Sequence, residues 1–205
     1  MFNLVNLLAI VGGYVFGSIS FALVIGKVFY KKDVREHGSG NLGASNAGRV
    51  LGPVAGVSVT VLDVLKAFIA MFVIWMITKD PTPILLAGLF ATIGHAFPLF
   101  ANFKGGKSVA TYYGFLLGIA VFLLHNAWVF LVPLAVFFAV LRLFRMPSLA
   151  SMTSTVFGAL FSFFFVGNRY YISLALLAVA LFIVYRHRSN IERIINKTES
   201  KISWM

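Results

Sequence analysis

The sequence predicts an all-α, polytopic membrane fold: a bundle of about seven transmembrane helices with the N-terminus outside and the C-terminus inside. Three observations carry this expectation. Of the 205 residues, 60% are hydrophobic and 11% charged, whereas soluble domains run near ~25% charged; mean hydropathy is +0.94. The apolar residues come in runs long enough to cross a bilayer, which takes ~20 residues of helix. Finally, the basic residues between those runs are distributed very unevenly between the two sides.

Read between charge and turn signals, the runs place spans at about 4–26, 53–77, 82–101, 106–124, 126–144, 148–166 and 169–185. The first run has no basic stretch ahead of it and is expected to be a span, not a cleaved signal peptide. The second carries Asp63 and Lys66, three residues apart, which read as a structural ion pair. The third ends at His95. The fourth follows directly from a glycine-rich loop, and only His125 and Asn126 separate it from the fifth. The count is seven, or five or six if some segments are re-entrant. No composition shift or internal repeat marks a second domain, so residues 1–205 are expected to form one integral-membrane domain.

With the N-terminus outside, one side holds Lys27, Lys31, Lys32, Arg35, Arg49, Lys104, Lys107, Arg142, Arg145, Arg186, Arg188, Arg193, Lys197 and Lys201. The other holds Lys79 and Arg169, and Lys66 lies within a span. Fourteen against two places the basic side in the cytoplasm. The net charge of +11 is then a flanking signal, and nucleic acid is not an expected partner. With no cysteine and six scattered carboxylates, neither a thiolate site nor a protein-only Mg²⁺ site is expected. No metal and no cofactor are assigned.

Three inner segments are unusually polar. The first, His37 to Arg49, matches GxGxxG at Gly38, Gly40 and Gly43. It lies between spans with no preceding strand, which excludes a dinucleotide fold. What remains is local physics: glycines leave backbone N–H groups free to converge on an anion, a following helix N-terminus adds positive potential, and Arg49 can close on phosphate. A flexible connector with basic flanks is the alternative, although it would not need Ser39, Asn41, Ser45 and Asn46 so close together. The second segment, Gly94 to Ser108, ends Gly106-Lys107-Ser108 like a P-loop, but has Ala101 where that motif requires glycine. Two lysines around two glycines still suit a phosphate. His95 reads equally as a structural donor or as a catalytic group. The third is split between Arg145–Ser151 and His187–Arg193. His187 and Asn190, three apart, share a helix face, while Arg193, Lys197 and Lys201 fit an amphipathic helix on anionic lipid. Together the segments point to a phosphorylated small molecule handled at the membrane surface.

At these residues the chain resembles the PlsY-type acyl-phosphate:glycerol-3-phosphate acyltransferases of bacteria. Three motifs appear in order over most of the chain: GSGNLGASNAGRVLG, GHAFPLFANFKGGKSVAT, and SLAS followed by HRSNIER and a late Glu199. Ser45 departs from the family's usual Thr, and Ser108 stands where a fourth loop glycine is usual. The resemblance implies acyl transfer from acyl phosphate to the sn-1 hydroxyl of glycerol 3-phosphate, giving lysophosphatidic acid and phosphate, the first step of phospholipid synthesis. It implies a bacterial plasma membrane location with a cytoplasmic active site. A soluble enzyme that supplies acyl phosphate joins the substrates and the bilayer as a candidate partner. Candidate catalytic residues are Ser39, Arg49, His95, His187 and Asn190. Candidate phosphate-binding residues are Gly40, Asn41, Asn46, Lys104, Gly105, Gly106, Lys107, Ser148 and Ser151. Glu199 is implied to serve structural integrity. No His is followed five residues later by Asp, so the HxxxxD arrangement of acyl-CoA-dependent glycerolipid acyltransferases is absent. An organic-phosphate transporter and a lipid-binding scaffold are the rival readings. The first predicts polar loops on both faces, and the second leaves the clustered Gly, Asn and Ser unexplained.

Overall fold

The computed structural model describes residues 3–202. These are helical throughout apart from turns and loops, and they fall into two compact units, one ending at Leu123 and the other beginning at Leu124. The first unit contains α1 (Leu4–Gly17), α2 (Phe21–Phe29), a short 3-10 turn (Val34–Glu36) and α3 (Ala44–Leu51). It continues with α4 (Pro53–Ile77), α5 (Pro81–Ala96) and α6 (Val109–Gly118), which runs on as a π turn over Ile119–Leu123. The second contains α7 (Trp128–Phe144), α8 (Pro147–Ser162), α9 (Tyr170–Arg186) and α10 (Arg188–Ile195).

Helix starts follow local chemistry. The helices α4, α5 and α8 open on proline, whose missing N–H costs nothing in the first turn. Asp80 caps α5 by accepting the Thr82 N–H at 2.9 Å. Pro98 ends the third apolar run: α5 stops at Ala96 and a 3-10 turn over Leu99–Ala101 follows, short of continuous helix over 82–101. The first run is also broken. Ser18 bonds back to the Tyr14 carbonyl through its hydroxyl at 2.7 Å, and Ser20 starts α2 by accepting the Leu23 N–H. Predicted span 4–26 is therefore two helices, and the carbonyl of Ile19 between them is spared from helix bonding for another donor.

Inside a bilayer nothing pushes apolar helices together, so contact depends on close packing of small residues. In the first unit α1 lies along α5, with Gly13 and Gly17 against the Ala87 and Ala91 backbone. Gly114 of α6 meets the Val64 carbonyl of α4 in the same way. The opposite faces carry exposed aliphatic side chains, such as Val54 and Val57 on α4, as expected for lipid contact. In the second unit α7 packs on α8 and α8 on α9; α9 and α10 bend by 57° at His187.

A helix stands at the place of each of the seven predicted spans. Among the described residues, three segments, Leu4–Phe29, Pro53–Ile77 and Pro81–Ala101, are long and apolar enough to cross a membrane on their own. Val109–Leu123 and Trp128–Phe144 are shorter.

Candidate active site

The first motif is a loop held by one buried amide. Asn46 on α3 is 2% exposed. Its Oδ1 accepts the Ser39 N–H at 2.8 Å, while its Nδ2 donates to the Val34 carbonyl at 2.9 Å and the His37 carbonyl at 3.2 Å. These bonds commit both amide hydrogens, so Asn46 acts on the loop itself and sets where Ser39 stands. Gly38 sits at φ +62°, in the left-handed region, and a Cβ there would overlap Asn46 Oδ1. Val34 and Leu42 anchor the loop in an apolar cluster with Ala22, Ala47, Ala55 and Val59. Before the loop, Asp33 takes both Arg35 and Lys27, at 2.6 and 3.1 Å. The Arg35 hydrogen bond, against the opposing effect of burial, holds the Asp33 carboxyl well below the usual carboxylate range. Ser39 and Arg49 are exposed, and Gly40 and Asn41 half-buried. Arg49 lies in the last turn of α3 and makes no ion pair among the described residues.

The second motif folds over His95. The Gly106 N–H donates to the His95 carbonyl at 3.2 Å and the Gly105 N–H to the Ala96 carbonyl at 3.1 Å. A Cβ at Gly106 would overlap His95 Nε2, and one at Gly105 would overlap the His95 carbonyl oxygen. This close approach is why the loop needs two glycines. Lys104 is exposed and Lys107 half-buried on the same loop. Ser108 stands at φ +63°, a conformation costing roughly 1–2 kcal/mol for an L side chain. Its hydroxyl donates to the Thr92 carbonyl at 3.0 Å and offsets part of that cost.

Sequence spacing does not show what lies behind His95. Lys66 Nζ, in α4, is 2.8 Å from His95 Nδ1, 2.8 Å from Asp63 Oδ1 and 3.0 Å from the Ile19 carbonyl in the α1–α2 break. The ion pair read from Asp63 and Lys66 is thus present, with an imidazole as a third member. Residues 66 and 95 belong to different spans, and no periodicity links them.

In the second unit Glu199 gathers the third motif. Its Oε1 accepts from Ser148 Oγ and Asn190 Nδ2, each at 2.7 Å, and its Oε2 from Arg193 Nε at 2.7 Å. The Ser151 hydroxyl donates to the Pro147 carbonyl at 2.7 Å, within its own helix. His187, 4% exposed, caps α10, and its Nδ1 lies 2.8 Å from the Ile183 carbonyl. A carbonyl only accepts, so Nδ1 carries the proton. Neutral His187 therefore has its lone pair on Nε2.

Burial alone would raise the Glu199 carboxyl, but the bonds from Ser148, Asn190 and Arg193 outweigh it and hold the group below its ordinary value of 4.5. The unfolded chain then binds this proton more readily. The carboxylate adds stability above about pH 4.5 that is lost as pH falls through the lower folded value. Thermal denaturation in detergent, followed from neutral pH to about pH 3, should show wild type more stable than Glu199→Gln, with the gap closing in acid. A gap independent of pH would contradict this account of Glu199.

The two units thus present glycine-lined loops, exposed cations and a clasped polar cluster. Comparison with known proteins gives this arrangement a context. The family model described as glycerol-3-phosphate acyltransferase matches residues 7–197. A glycerol-3-phosphate acyltransferase of Bacillus subtilis (strain 168) is 46% identical over 198 residues, covering 97% of this chain and 98% of that protein. One from Listeria monocytogenes serovar 1/2a is 49% identical over 195 residues, covering 94% of each. The crystal structure of PlsY (YgiH), an integral membrane glycerol 3-phosphate acyltransferase in its glycerol 3-phosphate form, superposes with a TM-score of 0.85 at 34% identity. The match covers 97% of this chain and 96% of that one. Its lysophosphatidic acid form superposes at 0.82.

Proposed function

Since the chain belongs to the glycerol-3-phosphate acyltransferase family, we propose that it moves a fatty acyl group from acyl phosphate to the sn-1 hydroxyl of glycerol 3-phosphate. The products are lysophosphatidic acid and inorganic phosphate. The observation that carries this reading is the second motif: a Lys104–Lys107 loop whose two glycines are pressed onto His95, an element suited to phosphate. Both proposed substrates carry one.

Acyl phosphate is a mixed anhydride with a good leaving group, so positioning and charge neutralisation suffice. The hydroxyl oxygen attacks the acyl carbonyl, the new ester bond forms, and the acyl carbon–oxygen bond to phosphorus breaks. The hydroxyl proton ends on the departing phosphate, directly or by way of His187 Nε2. In this scheme Arg49, Lys104 and Lys107 hold phosphate groups, while Ser39, Ser148 and Asn190 orient them. Because Ser148 and Asn190 donate to Glu199, their part in orienting substrate depends on the Glu199 clasp. The same reading places the basic loops and the reaction on the cytoplasmic side, supported by the charge asymmetry, with residues 1–205 working as one membrane domain.

The test is purified protein in detergent, given acyl phosphate and glycerol 3-phosphate without vesicles. Lysophosphatidate detected by mass spectrometry is expected, and substituting acyl-CoA should give none. Absence of product from folded protein would overturn the reading, and equal turnover of acyl-CoA would overturn the choice of donor.

A further inference from the structure

We propose that Asp63 and Lys66 are positioning residues for the glycine-rich loop, acting through His95, which they hold as a fixed N–H donor beneath that loop. The proposal deepens the acyltransferase reading above and rests on it.

An ammonium has three N–H groups and no lone pair. Around Lys66 Nζ stand Asp63 Oδ1 at 2.8 Å as its ion-pair partner, His95 Nδ1 at 2.8 Å and the Ile19 carbonyl at 3.0 Å, and Asp63 Oδ1 also lies 3.5 Å from His95 Nδ1. Lys66 is fully buried, so its charge depends on these neighbours. With Lys66 charged by its pairing to Asp63, the ammonium can only donate, so Nδ1 accepts and the imidazole proton sits on Nε2. That is the edge against which Gly106 is packed, and the next residue along the main chain is Lys107. His95 is held from both ends, by the ammonium at Nδ1 and by the Gly106 N–H on its carbonyl. The lone pair that a general base needs lies on Nδ1, behind the ring and already in use. His187 has the opposite arrangement, its Nδ1–H spent on Ile183.

A purely structural ion pair would be complete at Asp63. Burying two charges is costly unless their remaining hydrogen bonds are satisfied, and here the third member of the set is the residue on which the loop is built. The main-chain break at Ser18–Ser20 supplies the Ile19 carbonyl, so three helical elements converge on one nitrogen. The consequence is a loop whose backbone position is referred to α4, well inside the membrane segment.

Removing the pair as Asp63→Asn with Lys66→Met leaves no uncompensated charge. The family resemblance implies that the Gly105–Lys107 loop takes the phosphate of glycerol 3-phosphate, so in the detergent assay KM for glycerol 3-phosphate is expected to rise about tenfold or more, while kcat and the KM for acyl phosphate change far less. An unchanged KM for glycerol 3-phosphate, or a uniform fall in kcat with KM intact, would overturn the proposal. The second comparison is His95→Gln with His95→Leu. The glutamine side-chain amide offers an N–H near the place of Nε2, so Gln should retain at least tenfold more activity than Leu; equal losses would sink the idea even if the double variant failed to fold. Wild-type protein in the same assay separates the two levels. If wild type makes no lysophosphatidate the proposed reaction fails, whereas an active wild type with an unaffected double variant removes only the role of Asp63 and Lys66.

Discussion

Replacing Gly106 with alanine is expected to lower kcat/KM by about a hundredfold or more while leaving a folded protein. The reason is steric. A Cβ at this position would overlap Nε2 of His95 and crowd Cε1 and Cδ2 as well. The ring cannot yield, because Lys66 holds Nδ1 from behind at 2.8 Å. Gly105 cannot absorb the shift either, since it is pressed on the His95 carbonyl and bonded to Ala96. The loop must therefore lift away, carrying Lys104 and Lys107 with it, and a displacement of ~1 Å in a positioning element is enough for a loss of that order. Gly12 provides the control: nothing lies within 4 Å of a Cβ built there, so Gly12→Ala should match wild type. Steady-state kinetics on both variants, with size-exclusion profiles to confirm folding, check the expectation. Wild-type kinetics from Gly106→Ala would mean the loop is not held as described.

Asn46→Ala is expected to be the most damaging change in the first motif. One amide serves three backbone groups, the Ser39 N–H and the carbonyls of Val34 and His37. Alanine leaves them without this partner in a site where Asn46 was 2% exposed, at a cost of about 2–4 kcal/mol. Thermal denaturation in detergent should shift down by several degrees, and activity should fall because Ser39 loses its tether. Asn46→Asp sharpens the test. Aspartate keeps an acceptor for Ser39 but turns a second oxygen toward two carbonyl oxygens, so it should be at least as harmful as alanine. Near-normal stability in Asn46→Asp would show that the donor side of the amide is unimportant.

Several candidate residues take on sharper roles once their contacts are seen. Asn46, chosen in sequence as a phosphate ligand, spends both of its amide hydrogens on the loop. Ser151 donates within its own helix. Glu199, for which the family resemblance implies a part in structural integrity without naming its partners, is the acceptor that draws Ser148, Asn190 and Arg193 together across as many as 51 residues of chain. The first span, read as continuous, breaks at Ser18–Ser20 because short hydroxyl side chains bond to the neighbouring backbone at both helix ends. Serines flanking an apolar run are a local capping signal, so the break itself is legible in the sequence; its use as the source of an acceptor for Lys66 is not.

What the sequence by itself determined is the membrane character, the order and approximate limits of seven apolar segments, and the identity of the polar loops between them. These follow from composition, run length and charge placement, which the bilayer reads locally and with little regard to what packs where. The three motifs were legible for a related reason: glycines, hydroxyls, amides and cations gathered within a few residues are conspicuous against so apolar a chain. Only the tertiary structure decided which groups are spent on one another. The Lys66–His95 contact joins residues 29 apart on different helices, and its strength comes from burial away from water, which no local pattern encodes. The same holds for the two histidines: His95 and His187 are alike in the sequence, yet Nδ1 faces the Lys66 amine in one case and the Ile183 carbonyl in the other.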